Sequence, residues 1–409
     1  MLSARRILHV VMVIVSAGVL VLISPVAPSA TAGTARGQRI ESWTLPSPLV
    51  DTRSPGGRLA DGRTVPKVNV LLPAGYDNHP RRHYPVLWLL HGAGGGTNNW
   101  LGPNVPVARD FAGFPGIIVM PDGGVFGMYL DWWNNGHRGE PAWARYHLTV
   151  LKKAVEHRYR IRPARRWHAI AGISMGGQGA LRYAEMLPGY FGSVAAFSAA
   201  VPDMQSIDAR LGVALMGAVD GASAGAGYSA MFGPSRGPYA EGNSPAALVG
   251  NLAHTRVFLS SGNGINCPQD PVNLQSIVVD TTVETVVSAQ QRSFARSLRA
   301  IGAPVTAVST CGVHTFGVWD RAIAAARRWG MFARPPRPSA HWDYRTIATS
   351  GVAWSLAFRF QRPPEQVALF ERRGARLSGR GASRVRFTGH GCGFTRSLPF
   401  SLTLPRACR

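Results

Sequence analysis

The sequence is poor in cysteine, lysine and acidic residues. Its 409 residues include four cysteines, and 21 Asp and Glu stand against 44 Lys and Arg, most of them Arg. No two cysteines form a Cys-x-x-Cys pair, so a zinc site is not expected. No apolar run after the first 32 residues suggests a membrane span. No internal repeat is present, which argues against a repeat architecture.

The rest of the composition is that of a folded protein. Hydrophobic residues make up 45% of the chain and charged residues 16%, which is enough apolar material for a sizeable core. The length allows two or three domains. The formal net charge of +23 favours an anionic partner, such as nucleic acid, anionic lipid or an anionic polymer.

Residues 1–32 have the pattern of a secretory signal peptide. Arg5 and Arg6 precede an apolar run at 7–23, and the residues at 30–32 fit the small-x-small cleavage rule. The alternative is an uncleaved anchor helix, although the apolar run is just short of a comfortable span. We therefore predict a secreted or cell-envelope protein. Such a protein does not meet genomic DNA, so its charge is expected to face an envelope polymer or lipid headgroups.

The four cysteines all follow this segment. An even number of cysteines in an exported chain predicts disulfides, and four cysteines allow three pairings. Pairing neighbours in sequence gives Cys267 with Cys311 and Cys392 with Cys408.

Short apolar segments alternate with amphipathic ones over most of the chain. The pattern predicts strands at 39–45, 68–72, 85–90, 117–120, 167–171, 194–198, 255–260 and 305–309, and helices at 142–159, 176–187 and 285–301. This alternation predicts the α/β class, with a mainly parallel sheet that helices cover on both faces.

The composition changes near residue 333. The Pro- and Arg-rich residues 333–340 predict a linker between a catalytic domain at 33–332 and a C-terminal module at 341–409. From residue 334 onward, 14 Arg stand against two Glu and one Asp, a balance of 14 − 3 = +11. Short alternating segments at 352–360, 366–370 and 384–388, together with several aromatics, favour a small β-rich module over an Arg-rich disordered tail.

The residues at 172–176 form a Gly-x-Ser-x-Gly motif. The motif follows an apolar strand and precedes a helical pattern, which is the context that a nucleophile elbow requires. Ser174 is therefore the candidate nucleophile, at a helix N-terminus where the helix dipole favours developing negative charge.

A serine hydroxyl needs a base to act as a nucleophile. In enzymes with such a nucleophile elbow, the partners follow the serine in the order acid, then His. His314 comes just after the last predicted strand, where the base is expected. For the acid, Asp270, Asp280 and Glu284 all follow the strand at 255–260, and the sequence pattern does not choose among them.

An oxyanion hole needs two backbone donors. One is expected to be the N–H of Met175, the residue after the nucleophile, and the other the N–H of Ala93 or Gly94 in the glycine-rich loop after the strand at 85–90. No Gly-Lys-Ser/Thr follows this loop, so it does not match a phosphate-binding loop.

With these motifs in order, the chain resembles the esterase D and antigen-85 group of α/β-hydrolases, and in particular the antigen-85-type mycolyltransferases. The resemblance runs from about residue 40 to residue 332, and it rests on segments at 119–124, 131–132, 172–180, 231–235, 251–256, 261–264 and 314–316. It implies a Ser-Glu-His triad of Ser174, Glu284 and His314, with Ala93 as the second oxyanion donor.

Three positions depart from the mycolyltransferase pattern. The family carries an Asp and an Arg, implicated in trehalose binding, where this chain has His91 and Gly94, and a Trp where this chain has Phe316. His91, Gly94 and Phe316 are accordingly candidate substrate-binding residues. Their identities favour an ordinary esterase over a trehalose-dependent transferase.

The sequence therefore predicts an exported serine carboxylesterase that acts on acyl esters of lipids or glycolipids through an acyl-enzyme. One alternative is an acyltransferase of the mycolyltransferase or diacylglycerol acyltransferase type, which moves the acyl chain to a sugar or glycerol hydroxyl. Another is a non-catalytic envelope-binding protein, which the basic C-terminal module motivates. No metal or cofactor and no nucleic acid is expected to take part, and the module is expected to dock to an anionic cell-envelope polymer.

Overall fold

The computed structural model describes residues 37–102, 107–204, 227–337, 340–389 and 391–408. The predicted signal peptide at 1–32 lies outside the described residues. Within them, no helix is both long enough and apolar enough to cross a membrane.

The first sheet is built from eight strands of the described chain. They are β1 (Arg39–Thr44), β2 (Lys67–Leu72), β3 (Val86–Leu90), β4 (Ile117–Pro121), β5 (His168–Ile173), β6 (Ser193–Phe197), β7 (Arg256–Gly262) and β8 (Val305–Thr310). Their spatial order is β1-β2-β4-β3-β5-β6-β7-β8. The pairs β1/β2 and β2/β4 are antiparallel, and every other neighbouring pair is parallel. The predicted, mainly parallel sheet is therefore confirmed.

Helices connect several of these strands, and one more helix follows β8. They are α1 (Val107–Asp110), α2 (Trp143–Arg145), α3 (Lys152–Arg158), α4 (Met175–Met186), α5 (Tyr228–Phe232), α6 (Pro238–Glu241), α7 (Pro245–Leu248), α8 (Ile277–Ala300) and α9 (Phe316–Trp329), and a π-helical segment (Tyr146–Leu151) joins α2 to α3. Helix α8 begins eight residues before the predicted start at 285. Its first turns are rich in Val and Thr, which have low helix propensity and hid the true start.

The alternation of side chains in β3 shows how the layers form. Val86, Trp88 and Leu90 belong to one buried cluster, which includes side chains of α4 and α8. Leu87 and Leu89 belong to a second cluster on the opposite face, which includes side chains of α9. Because both faces of the strand are buried, its sequence is a continuous apolar run rather than an alternating one.

The C-terminal region is antiparallel throughout. Its strands are β9 (His341–Thr346), β10 (Ser350–Ala353), β11 (Leu356–Phe360), β12 (Ala368–Arg373), β13 (Arg376–Arg380), β14 (Arg384–Gly389), β15 (Cys392–Ser397) and β16 (Phe400–Thr403). They form two four-stranded sheets, β10-β11-β14-β15 and β16-β13-β12-β9, and aromatic side chains from both sheets make one shared core.

Two details of this region bear on the sequence predictions. The segment at 352–360 is a hairpin rather than one strand, because the chain turns at Trp354, where φ is +59°. The structure pairs Cys392 with Cys408 and Cys267 with Cys311, as neighbour pairing predicted. The division into domains at residues 333–340 stays a prediction.

The β-rich region packs directly against the rest of the chain. The Tyr344 hydroxyl donates to the Met186 carbonyl at 2.9 Å, and the backbone of Arg345 exchanges two hydrogen bonds with the Asn251 side chain, at 2.8 and 2.9 Å. The Arg345 guanidinium also pairs with Glu241 at 2.6 Å. These contacts fix the first strand of the module against α4, α6 and the segment after α7.

The close approach at Gly242 makes this docking testable. A Cβ atom on Gly242 would lie 2.3 Å from Cβ of Ile347, whereas a Cβ atom on nearby Gly250 would meet nothing within 4 Å. We expect Gly242→Ala to lower the free energy of unfolding by about 1–3 kcal/mol, because overpacking forces the two surfaces apart. Urea unfolding and limited proteolysis near residues 333–340 measure the effect, and Gly250→Ala is the matched control. Equal behaviour of the two variants would contradict this account.

Candidate active site

Ser174 lies on a tight turn between β5 and α4. Its backbone has φ +50° and ψ −118°, a conformation that residues other than glycine rarely adopt. Its side chain is partly exposed, and the helix behind it begins at the next residue. The turn therefore presents the hydroxyl at the positive end of a helix dipole, as the Gly-x-Ser-x-Gly motif predicts.

The glycines of the motif are required by close backbone contacts. A Cβ atom on Gly172 would lie 2.3 Å from the carbonyl oxygen of Gly176, and a Cβ atom on Gly176 would lie 2.3 Å from the carbonyl oxygen of Leu90. Backbone atoms cannot move aside as a flexible side chain can, so neither position accepts a larger residue without rearranging the turn. The start of α4 is thus pressed against the end of β3.

His314 lies within hydrogen-bond distance of the serine. Its Nε2 is 2.9 Å from Oγ of Ser174, and its Nδ1 is 2.6 Å from Oε2 of Glu284. The backbone N–H of His314 donates to the Asp280 carbonyl at 3.2 Å, which ties its loop to the first turn of α8. Because the carboxylate accepts from Nδ1–H, Nε2 is left to accept a proton from the serine.

Glu284 is fully buried, and its carboxylate is well supplied with donors. Oε1 accepts from the hydroxyl of Ser198 at 2.8 Å and from the backbone N–H of Gly262. Burying a carboxylate is costly unless it is hydrogen-bonded, and these donors and His314 satisfy both oxygens. Ser198 was missed by the sequence analysis, because a serine at the end of a buried strand carries no signal of its own.

The two other candidate acids lie elsewhere. Asp270 forms a two-oxygen ion pair with Arg321, at 2.7 and 2.8 Å, and this guanidinium holds the pKa of the carboxyl below its usual range. Asp280 accepts from the Ser276 hydroxyl at 2.6 Å. Of the three acids, it is therefore Glu284 whose carboxylate contacts His314.

Two backbone N–H groups beside the serine have no hydrogen-bond acceptor among the described residues. One belongs to Met175, the first residue of α4, and the other to Ala93. The loop that holds Ala93 lies against the serine, since a Cβ atom on Gly92 would be 3.5 Å from Cβ of Ser174. The N–H of Gly94 donates to the Val125 carbonyl at 2.9 Å, so of the two loop candidates it is Ala93 whose donor remains available.

The structure corrects the prediction that His91 contacts substrate. The side chain is fully buried, and both ring nitrogens are engaged with backbone: Nδ1 donates to the Gly92 carbonyl at 2.8 Å, and Nε2 accepts from the Gly123 N–H at 2.9 Å. His91 therefore holds two loops together beneath the site. The sequence pattern could not reveal this, because it does not show which way a loop side chain points.

The other two candidate substrate-binding residues lie near the site surface. Gly94 is exposed, with φ +73°, one residue after Ala93. Phe316 is partly exposed at the start of α9 and packs edge-on against Trp319, whose ring in turn packs edge-on against His314 at 5.1 Å between centroids. The sequence analysis also missed Trp319 as a neighbour of His314. Its position five residues after His314, in the first turns of the following helix, was the signal that could have identified it. Substrate contact by Gly94 and Phe316 stays a prediction.

A second buried histidine lies below the site. Nδ1 of His147 is 2.8 Å from the Tyr183 hydroxyl, and Nε2 donates to the Asp122 carbonyl at 2.7 Å. Burial disfavours the charged imidazolium and lowers the pKa of His147 to about 3. His91 is affected in the same way, with its pKa lowered chiefly by burial. Both histidines support the loops around Ser174 in the neutral form.

These features have known relatives. A serine on a strand-to-helix turn of a mostly parallel sheet, with a histidine and a buried carboxylate beside it, defines an α/β-hydrolase. The chain belongs to the Esterase family, whose family model matches residues 63–329. The sequence-based assignment to the esterase and antigen-85 group is thereby confirmed.

Curated relatives lie in mycobacteria. The chain is 33% identical over 261 residues to Esterase Rv1288 of Mycobacterium tuberculosis (strain ATCC 25618 / H37Rv), an alignment that covers 61% of this chain and 53% of the relative. It is 32% identical over 189 residues to diacylglycerol acyltransferase/mycolyltransferase Ag85A of Mycobacterium gordonae, covering 44% of this chain and 53% of the relative. The chain thus spans about half the length of these relatives.

Solved structures support the fold. Mycobacterium tuberculosis MPT51 (FbpC1) superposes with a TM-score of 0.56 at 20% identity, over 72% of this chain and 99% of that one. An S-formylglutathione hydrolase from Agrobacterium tumefaciens superposes with a TM-score of 0.53 at 16% identity, over 74% and 97%. At these identities the likeness concerns the fold alone, and it confirms the predicted α/β-hydrolase architecture.

The buried His147 predicts a loss of stability in acid. An unfolded histidine binds a proton below pH ~6.5, whereas His147 in the folded chain does so only near pH 3. Between these values the unfolded state holds more protons, so the free energy of unfolding falls as the pH is lowered, by about 1.4 kcal/mol per pH unit.

Urea unfolding at pH 7 and pH 5 measures this dependence. We expect His147→Gln, which keeps a donor and an acceptor but does not titrate, to show the shallower fall. His137→Gln, at an exposed position, should match the parent protein. A pH dependence unchanged in His147→Gln would show that this histidine is not the group responsible.

Proposed function

We propose that the protein is an exported serine carboxylesterase that cleaves acyl esters through an acyl-enzyme on Ser174. The observation that carries the proposal is the unbroken chain of contacts from Oγ of Ser174 through both nitrogens of His314, at 2.9 and 2.6 Å, to the buried carboxylate of Glu284. This is the arrangement by which a neutral hydroxyl becomes a nucleophile at neutral pH.

In the proposed mechanism, Oγ of Ser174 attacks the ester carbonyl carbon while His314 Nε2 takes the hydroxyl proton. Glu284 stabilises the resulting imidazolium and holds the ring in place. The unengaged N–H groups of Ala93 and Met175 would donate to the tetrahedral oxyanion. His314 then gives its proton to the leaving alcohol, and water, activated by the same histidine, releases the acid and restores the serine.

Export is part of the proposal. The signal-like residues 1–32 support it, and so do two disulfides in a chain whose four cysteines are all paired, because disulfides persist in oxidising compartments. Secretion into the medium or the cell envelope is the location that we propose.

An acyltransferase is the second candidate function. It is favoured by the likeness to Ag85A of Mycobacterium gordonae, whose name gives diacylglycerol acyltransferase and mycolyltransferase activities. A transferase would use the same residues and differ in the last step, where a sugar or glycerol hydroxyl replaces water. The esterase is preferred because His91 and Gly94 replace the Asp and Arg that the antigen-85 pattern has in the early loop, and because 33% identity joins the chain to a relative named an esterase.

The mechanism requires both the hydroxyl of Ser174 and the carboxylate of Glu284. Ser174→Ala is expected to lower kcat for a soluble short-chain ester by about 10⁴-fold or more. Glu284→Gln is expected to lower it by about 10³–10⁴-fold, because the histidine loses its charge partner. Ser401→Ala, at an exposed position of β16, is the control and should leave kcat unchanged. A fluorophosphonate probe should label the parent and not Ser174→Ala.

Product analysis separates the candidate functions. Free acid and acylated sugar are measured from a short-chain and a long-chain ester, with trehalose or glycerol present. Free acid alone, lost in Ser174→Ala, supports the esterase, and acylated acceptor supports the transferase. Neither product, together with no fluorophosphonate labelling, would contradict both and favour the non-catalytic envelope-binding protein.

We propose further that the C-terminal module docks to an anionic envelope polymer through the sheet β10-β11-β14-β15. Arg359 of β11 lies directly opposite Arg386 of β14, and Arg384 is two residues along on the same face. Like charges in opposite positions destabilise a sheet, and none of these three arginines forms an ion pair within the described residues. On the other sheet, by contrast, Arg373 and Arg380 pair with acidic side chains.

This face predicts a salt-dependent interaction. Replacing Arg359, Arg384 and Arg386 by Gln is expected to lower the salt concentration that elutes the protein from a polyphosphate resin, because fewer counterions are displaced on binding. The control replaces Arg373, Arg376 and Arg380 of the other sheet by Gln, which removes the same charge. An equal loss in both variants would show an effect of net charge and contradict docking through this sheet.

A further inference from the structure

Exposed apolar side chains are concentrated in one part of the described chain. Ile265, Leu274 and Val278 are 67%, 84% and 60% exposed, and Val272 and Val286 are also exposed. The other two large apolar side chains found exposed, Ile301 and Val352, lie apart from these. We call Ile265, Val272, Leu274, Val278 and Val286 the apolar rim. Single exposed apolar residues are common, but five between residues 265 and 286 indicate a candidate contact surface.

The apolar rim borders the proposed active site. Ile265 is joined by a β-bridge to Gly312, two residues before His314. Val278 lies in the first turn of α8, two residues before Asp280, whose carbonyl accepts the His314 N–H. The rim is therefore built on the same two segments that hold His314 in contact with Ser174.

Four residues of the rim are also connected to one another. The backbone at Gly264 packs against α8 so closely that a Cβ atom there would lie 2.2 Å from Oγ1 of Thr285. This contact puts Ile265 beside the stretch of helix between Val278 and Val286. Leu274 precedes Val278 by one helical turn, in a turn closed by a hydrogen bond from the Ile277 N–H to the Asn273 carbonyl.

Helix α8 exposes a basic stripe beyond the rim. Arg292, Arg296 and Arg299 are exposed, and Arg296 follows Val278 by about five full turns, which puts it on the same side of the helix. The sequence from 285 to 319 contains no Asp or Glu, and no ion pair joins these three arginines to any described residue. One helix side thus runs from apolar residues beside the active site to uncompensated positive charge.

We infer that the apolar rim and the outer side of α8 form a docking surface for an anionic lipid assembly. An aliphatic surface flanked by arginines matches the boundary between acyl chains and anionic headgroups. Protein interfaces are typically enriched in Tyr, Trp and Phe, and the rim contains none of these. The inference rests on the proposed function, since docking beside Ser174 gives a membrane-resident acyl ester access to the nucleophile.

Vesicle binding tests the inference without any need for catalysis. The chain beginning at residue 33, the proposed mature form, is prepared with Ser174→Ala and sedimented with vesicles of phosphatidylcholine and phosphatidylglycerol. We expect Leu274→Ser with Val278→Ser to lower the vesicle partition coefficient about tenfold or more, because each aliphatic side chain contributes a factor of that order on transfer from water. Both positions are exposed, so the fold should be retained, and Val352→Ser is the matched control.

Two further measurements make the result decisive. In the catalytic form, the double variant should lose turnover of a long-chain ester in vesicles and keep turnover of a soluble short-chain ester. Replacing Arg292, Arg296 and Arg299 by Gln should remove most of the preference for phosphatidylglycerol over phosphatidylcholine alone.

Equal vesicle binding by the parent and the double variant, or no binding by the parent, would overturn the inference. So would binding that is lost only when Arg359, Arg384 and Arg386 of the C-terminal module are replaced. If the parent binds vesicles through the rim but turns over no soluble ester, the docking surface stands and the proposed esterase function fails. The two ideas can therefore fail separately.

Discussion

The close contact between the turn at Ser174 and the end of β3 is the constraint on which the site depends. The serine can adopt its left-handed backbone only because the surrounding backbone holds it there, and that backbone can approach only because Gly172 and Gly176 have no side chains. The same contact brings the loop with Ala93 to the serine, so that two free N–H groups and the hydroxyl lie together. A rigid parallel sheet stabilises this costly turn because its neighbouring strands are buried on both faces.

A second constraint is the burial of a carboxylate. Glu284 projects from the N-terminal third of α8 into the region between the ends of β6 and β7, where Ser198 and Gly262 donate to it. Without those donors the buried carboxylate would destabilise the fold, and its hydrogen bond to Nδ1 of His314 would be weakened. The position of the Glu284 carboxylate therefore depends on three elements that are far apart in sequence. Replacing one of its donors would change the position of His314 as well as that of Glu284.

The parts of the structure that the sequence predicts well are those governed by local pattern. Strands buried on both faces are recognised as apolar runs, and the glycines of the serine motif are recognised by their spacing around Ser174. The predicted start of α8 was wrong because the first turns of the helix are rich in Val and Thr, which have low helix propensity. Tertiary packing overrides that preference. The prediction for His91 was wrong because the direction in which a loop side chain points is set by tertiary structure. The loop turns the His91 ring inward, where it accepts a hydrogen bond from the Gly123 N–H. Ser198 joins the site only through long-range packing against Glu284, which no local pattern reports.

Helix α8 links the proposed chemistry to the proposed location of the substrate. One side of the helix buries Glu284, Val287 and Phe294 against the sheet and so fixes the acid. The opposite side exposes Val278 and Val286, close to the segment that carries His314. Burial of the first side against the sheet leaves the second side no partner within the described chain, because a helix of this length cannot bury both sides against a single sheet face. A lipid surface would cover the exposed side where the nucleophile is reached, so that the element that activates the histidine would also select esters that reside in membranes.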